Sequence, residues 1–166
     1  MNQVIDCLKA DIQSGTKVVF LGVGSPLRAD DSVGLYIVGE FKNRLPARPG
    51  QEIRFFLGES APENFSGEIR NFATTHLVIV DAADMGEKPG TMRIIEPEKI
   101  GGTSFSTHML PLKMLTDYVV MTTGCRVTII GIQPLDLEFG NPLTDVVKQA
   151  ADEFLDRFLN EWQKIT

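Results

Sequence analysis

The sequence predicts an α/β fold: a three-layer sandwich in which helices cover both faces of a twisted, mostly parallel sheet of about five strands. Three observations carry that expectation. The runs "KVVFLGV", "HLVIVDA" and "RVTIIGI" are continuously apolar rather than alternating, as in strands buried on both faces. Segments of helical apolar spacing separate them, and strands alternating with helices make a parallel sheet. A further strand, "TMRIIEP", follows the Pro89-Gly90 turn too soon after its neighbour for a helical crossover. One antiparallel pair is therefore expected.

The elements follow in order. Val4, Ile5 and Leu8 share one helical face ahead of Ser14-Gly15. After "KVVFLGV" and a Gly-rich turn, "DSVGLYIVGEFKNRL" places Val33, Leu35, Ile37, Val38 and Phe41 at helical positions. "EIRFFL" reads as a second strand, and a short helix is expected from Glu63 to Phe72. "HLVIVDA" is the clearest internal strand and is expected to end at Asp81. A loop, "GGTSFST", precedes a helix from about His108 to Met121, and "RVTIIGI" is the last strand. The final helix carries Val147, Ala150, Phe154, Phe158 and Trp162 along one stripe. No repeat, low-complexity tract or linker divides the chain, so residues 1–166 read as a single domain.

Composition narrows the class. At 43% hydrophobic and 23% charged residues, the chain can build an ordinary globular core. A net charge of −6 argues against unspecific binding to nucleic acid or to an anionic membrane. Cys7 and Cys125 are too few for a disulfide framework, and neither belongs to a Cys-x-x-Cys pair, so a thiolate zinc site or redox motif is not expected. The start "MNQVIDCLKADIQSG" lacks the features of a signal peptide, and no stretch approaches about 20 apolar residues. A cytoplasmic protein without nucleic-acid or membrane partners is expected.

In an open parallel sheet, ligands sit outside the carboxyl ends of the strands. Arg28, Asp30 and Asp31 fall in the loop after the first strand, Asp81 at the end of "HLVIVD", and His108 before the following helix. Adjacent acids diverge by about 100° in a helix and point to opposite faces in a strand, so one of the pair should face the site. Asp30 suits an N-cap for the helix that follows. Asp81 needs a cation, a metal or several donors, or else serves as a cap or Asx-turn. Asp84 reads as a turn residue. His76 begins the strand that Asp81 ends, on the order of 16 Å away, and is assigned a structural or exposed role. At a helix start His108 is kept neutral, as a metal ligand must be, or else serves as a capping or surface residue. Together Asp31, Asp81 and His108 form a three-ligand set suited to a borderline divalent ion such as nickel or zinc. No His-Glu-x-x-His, Gly-x-Ser-x-Gly, Walker loop or complete Gly-x-Gly-x-x-Gly occurs. Gly22 and Gly24 are expected to make a tight turn instead.

The ordered set "GVGSPLRADDSVG", "VDAADMGEKPG", "STHMLPL" and "GIQP" resembles the [NiFe]-hydrogenase maturation endopeptidases, over nearly the whole chain from about Lys17. "SAPENF" and "DMGEKPG" resemble most closely the branch serving the hydrogenase 3 of formate hydrogenlyase. The resemblance implies an endopeptidase, expected as a monomer, that removes a carboxy-terminal extension from the hydrogenase large-subunit precursor after nickel insertion. It also implies that Asp31, Asp81 and His108 are both the metal-contacting and the catalytic residues. The nickel would be carried by the precursor, with zinc or another divalent ion able to stand in for it in vitro. Three departures stand out: Ser25 replaces the usual asparagine, Ser32 replaces a glycine, and Leu57 stands where relatives often carry an acid, with Glu59 two residues on. Gly58 between them is expected to bring backbone close to substrate. Two other readings remain: a nickel carrier that cuts nothing, and a receiver-like phosphoacceptor domain using Asp81. The histidine, and the Gly-Ser-Pro turn ahead of the acid pair, speak against the second.

Overall fold

The computed structural model describes residues 1–12, 16–46, 49–96, 104–105 and 109–164. Its helices are α1 (Asn2–Asp11), α2 (Val33–Arg44), α3 (Ser66–Asn71), α4 (Met109–Thr123) and α5 (Asp145–Lys164). The strands are β1 (Lys17–Val23), β2 (Glu52–Glu59), β3 (His76–Asp84), β4 (Met92–Ile95), β5 (Ser104–Phe105) and β6 (Arg126–Ile132). Single 3-10 turns, Ala29–Ser32 and Pro62–Phe65, lead into α2 and α3. Among the described residues no helix is long and apolar enough to cross a membrane.

The sheet order is β2-β1-β3-β6-β4, with β5 paired only to β3. β1 runs parallel to β2 and β3, and β3 parallel to β6. The expected antiparallel strand is β4, whose partner is β6 rather than the preceding β3. Gly90 N–H donates to Gln133 O and Gln133 N–H to Thr91 O, extending that ladder beyond the strand ends. These bonds carry the chain past β6 to the sheet's far edge.

Alternating side chains of the strands divide the core in two. Val18, Phe20, Val78 and Val80 pack with Leu8 of α1, Ile37 and Phe41 of α2, and Phe154 and Phe158 of α5. Val19, Leu21, Leu77 and Ile79 pack on the other face with Ile69 of α3 and with Leu112, Leu115 and Val119 of α4. The first layer holds an aromatic chain: Phe20 to Phe41 at 5.2 Å, Phe41 to Phe158 at 5.0 Å, and Phe158 to Trp162 at 5.7 Å. Each such contact adds about 0.5–1.5 kcal/mol to plain burial. In α5 the buried stripe runs through Ala151, while Ala150 lies at its margin. A methyl on Gly90 would come within 2.8 Å of the Ala150 methyl.

Helix α2 meets the sheet backbone to backbone. A methyl on Gly34 would lie 2.2 Å from Val80 O and 2.5 Å from Val23 O, and one on Gly22 2.6 Å from Gly34 O. Gly22 is therefore a strand residue required by a helix, not the turn residue expected from the sequence. Overpacking against rigid backbone has no side chain to move aside. Gly34→Ala should cost about 3 kcal/mol, read as a lower denaturation midpoint in urea with little change in slope.

Candidate active site

The first turn of α2 covers the point where β1 and β3 part. Their paired register ends at Gly22 opposite Val80, one residue short of Asp81. Asp81 is wholly buried and pairs in register with Gly131 of β6. It does not end its strand, because β3 continues to Asp84 and Ala83 and Asp84 pair with β5. Nor does it stand in a turn, so the cap and Asx-turn readings fall away. Its burial at the mouth of the sheet costs several kcal/mol unless charge or donors compensate.

Asp31 arrives from the 3-10 turn beside β1 and is also wholly buried. Its Oδ2 accepts Ser25 N–H at 2.9 Å. The turn folds so tightly onto Gly24 (φ +126°) that a methyl there would lie 1.7 Å from Asp31 O and 3.7 Å from its carboxyl carbon. Gly24 immediately follows Val23, the residue at the end of β1. Because Ser25 supports Asp31 through its backbone, serine in place of asparagine preserves that bond. Ser32 Oγ donates to Ala29 O at 2.6 Å, giving the extra hydroxyl a partner. Two non-glycine residues near this point hold left-handed backbone, Ala29 (φ +38°) and Glu59 (φ +47°). Such strain persists where surrounding bonds over-determine it: Ala29 N–H donates to Asn141 O and Gly24 N–H to Glu59 O.

Asp30 is not a helix cap. Ser32 occupies the N-cap position of α2, and the wholly buried Asp30 side chain turns to the loop after β6. There it accepts Leu135 N–H (2.8 Å), Asp136 N–H (3.0 Å), Thr144 N–H (2.8 Å) and the Thr144 hydroxyl (3.0 Å). The same loop receives Arg28 Nε at Leu137 O (3.1 Å) and Asp30 N–H at Asp136 O (3.0 Å). The 3-10 turn inserted before α2 rotates Asp30 off the helix end, which the sequence spacing did not reveal.

Gln133 forms a second bridge. Its buried side chain accepts Met85 N–H (2.7 Å) and Glu87 N–H (3.2 Å) and donates to Asp84 Oδ1 (3.2 Å). Asp84 is the last residue of β3 rather than a turn residue, but its side chain makes the bond expected of one, accepting Gly86 N–H of the turn that follows. The Gln133 amide first, then Gly86 N–H, holds the Asp84 carboxyl below its ordinary pKa. An amide closing the apolar run "RVTIIGIQ" was the available signal for Gln133. Nothing in the sequence tied Asp30 to Thr144.

Other expectations resolve plainly. His76 is buried at the opposite end of β3, its Nε2 2.9 Å from Thr128 Oγ1, in a structural role. Leu57 and Glu59 are both exposed. Gly58 sits at a register shift between β1 and β2, where a methyl would lie 3.0 Å from Pro62 Cα; its close neighbour is this chain. His108 lies outside the described residues. Among those described, no three His, Cys, Asp or Glu side chains converge as a metal-binding group.

The profile of the HycI family, hydrogenase maturation protease, matches residues 35–161. The chain is 36% identical over 146 residues to the hydrogenase 3 maturation protease of Escherichia coli K12, covering 87% of this chain and 90% of that protein. Its fold is similar to the crystal structure of the [NiFe] hydrogenase maturation protease HycI from Thermococcus kodakarensis KOD1, with a TM-score of 0.82 at 26% identity, covering 95% and 99% of the two chains. The solution structure of the endopeptidase HycI from Escherichia coli gives a TM-score of 0.71 at 33% identity, covering 89% and 91%.

The Asp30 bridge generates a test of the frame. Asp30→Ala leaves several loop donors without an acceptor, at about 1–3 kcal/mol for each one that water cannot reach. Loss of roughly 3 kcal/mol is expected by chemical denaturation, with faster amide exchange at Leu135, Asp136 and Thr144.

Proposed function

The chain belongs to the hydrogenase maturation protease family and is a peptidase; on that premise we propose that it removes a carboxy-terminal extension from a [NiFe]-hydrogenase large-subunit precursor once nickel has been inserted. The observation that carries this reading is the placing of two wholly buried carboxylates, Asp31 and Asp81, near the point where the parallel pairing of β1 and β3 stops. Likeness to the hydrogenase 3 protease favours a precursor of that branch. The enzyme is proposed to act in the cytoplasm as a single-domain monomer.

Nickel is here part of the substrate. Two carboxylates of low solvent exposure favour a dication over any anionic or neutral group, and His108 is proposed as the neutral third donor. In support, β5 ties the chain at Phe105, three residues before His108, beside Ala83 on β3. Asp31 and Asp81 thereby recognise a precursor that already holds its metal. Ser25 N–H fixes the direction of the Asp31 carboxylate, and the first turn of α2 excludes water from the inner side of Asp81. A metal at this point supplies Lewis-acid polarisation of the scissile carbonyl or of its attacking water.

Asp31→Asn, Asp81→Asn and His108→Ala should each abolish processing while the protein stays folded. The asparagine at position 31 keeps an oxygen for Ser25 N–H, so folding and activity separate. Mass spectrometry of precursor incubated with each variant reads the result, and normal processing by any two of them rejects the trio. Wild-type protein should release a carboxy-terminal peptide only from nickel-loaded precursor. An unchanged mass with and without nickel would favour the silent carrier instead.

A further inference from the structure

Beside the acids lies a set of apolar side chains with no role in the core. Leu27 is 58% exposed, Leu135 61% and Phe139 73%. Exposed apolar residues scattered singly are ordinary. These three share one frame. Gly140 N–H donates to Leu27 O at 2.8 Å, bringing the residue next to Phe139 against the Leu27 backbone. Leu135 N–H donates to Asp30 Oδ2 at 2.8 Å. The loops after β1 and β6 are thus bonded into one unit whose next residue, Asp31, enters the proposed site.

We propose that Leu27, Leu135 and Phe139 form the docking platform for the precursor's carboxy-terminal segment next to the cleaved bond, an apolar stretch with basic neighbours. The inference rests on the endopeptidase reading and names the surface through which that site selects its partner. Continuity is the first support: these side chains share a hydrogen-bonded frame with Asp31, at the mouth of the sheet. Charge is the second. The ends of β2 and β3 and the loops that follow β3 and β6 expose Glu59, Asp84, Glu87 and Glu138. Against them stand an exposed Lys88, Arg93 paired to Glu87 at 3.0 Å, and Arg28, which is half-buried and spends its Nε on Leu137 O, so the acids remain in excess. A basic partner segment meets complementary potential there. Rigidity is the third, because a platform ordered before binding loses little entropy on docking.

Nickel-free precursor, which the proposed activity leaves uncut, is the binding probe. By fluorescence anisotropy, the combined variant Leu27→Ser, Leu135→Ser, Phe139→Ser should bind it at least tenfold more weakly than wild type, with an unchanged melting temperature. Met121→Ser, on an equally exposed apolar residue of α4 (78%), should bind as wild type does. Mature large subunit lacking the segment should bind weakly and equally to all three proteins. Wild-type affinity in the combined variant overturns the proposal, as does tight binding of the mature subunit or no binding of precursor to wild type. Failure of wild type to cut nickel-loaded precursor is read separately: it rejects the endopeptidase reading while the binding comparison still judges the platform.

Discussion

Everything at the carboxyl end of the sheet depends on one contact between backbones. Gly34 brings the first turn of α2 directly onto Val80 O and Val23 O, and Gly22 lets the strand lie beneath Gly34 O. No other residue type fits either position without moving helix from sheet. The contact places the amino end of α2, and the acid pair just before it, over the gap between β1 and β3. A helix held off by side chains would carry Asp31 away from Asp81.

That placement strains the connecting turn, and polar bridges to the loop after β6 hold it. Asp30 gathers donors from Leu135, Asp136 and Thr144, and Gln133 holds the turn after β3. These buried groups are satisfied by backbone from segments distant in the chain, so they specify loop geometry as well as offset their own desolvation. Neighbouring acids therefore do different work. Asp30 builds the frame, whereas Asp31 accepts Ser25 N–H instead and is the acid proposed to meet the substrate.

A rigid frame suits the proposed role, cleavage of one bond in one kind of partner. Broad specificity calls for a groove open to many sequences. On the proposed reading, buried carboxylates and a fixed apolar rim leave selection to what the substrate presents: a dication in place and a chain segment of matching character. On the same reading, the acidic mouth would add attraction for a basic segment within about one Debye length of 8–10 Å.

The long strands, the helices, their parallel order and one antiparallel strand were legible in the sequence because burial on both faces leaves continuous apolar runs, and helices leave a 3.6-residue stripe. The two-residue β5, antiparallel to β3, fell in what read as a loop. The need of Asp81 for compensation was legible as well, since charge at the end of an apolar run needs a reason. The partners of the polar groups were not. Asp30 looked like a cap for the helix beside it, yet its donors lie more than a hundred positions away; β4 looked like a neighbour of β3, yet it pairs with β6. Nothing in the helical spacing singled out Gly34, against which the fold lays Val80 O. Local pattern determined which residues are buried and in what elements, because hydrophobic burial acts residue by residue. Only the tertiary structure decided which buried groups meet, because hydrogen bonds and close contacts depend on where distant segments come to rest.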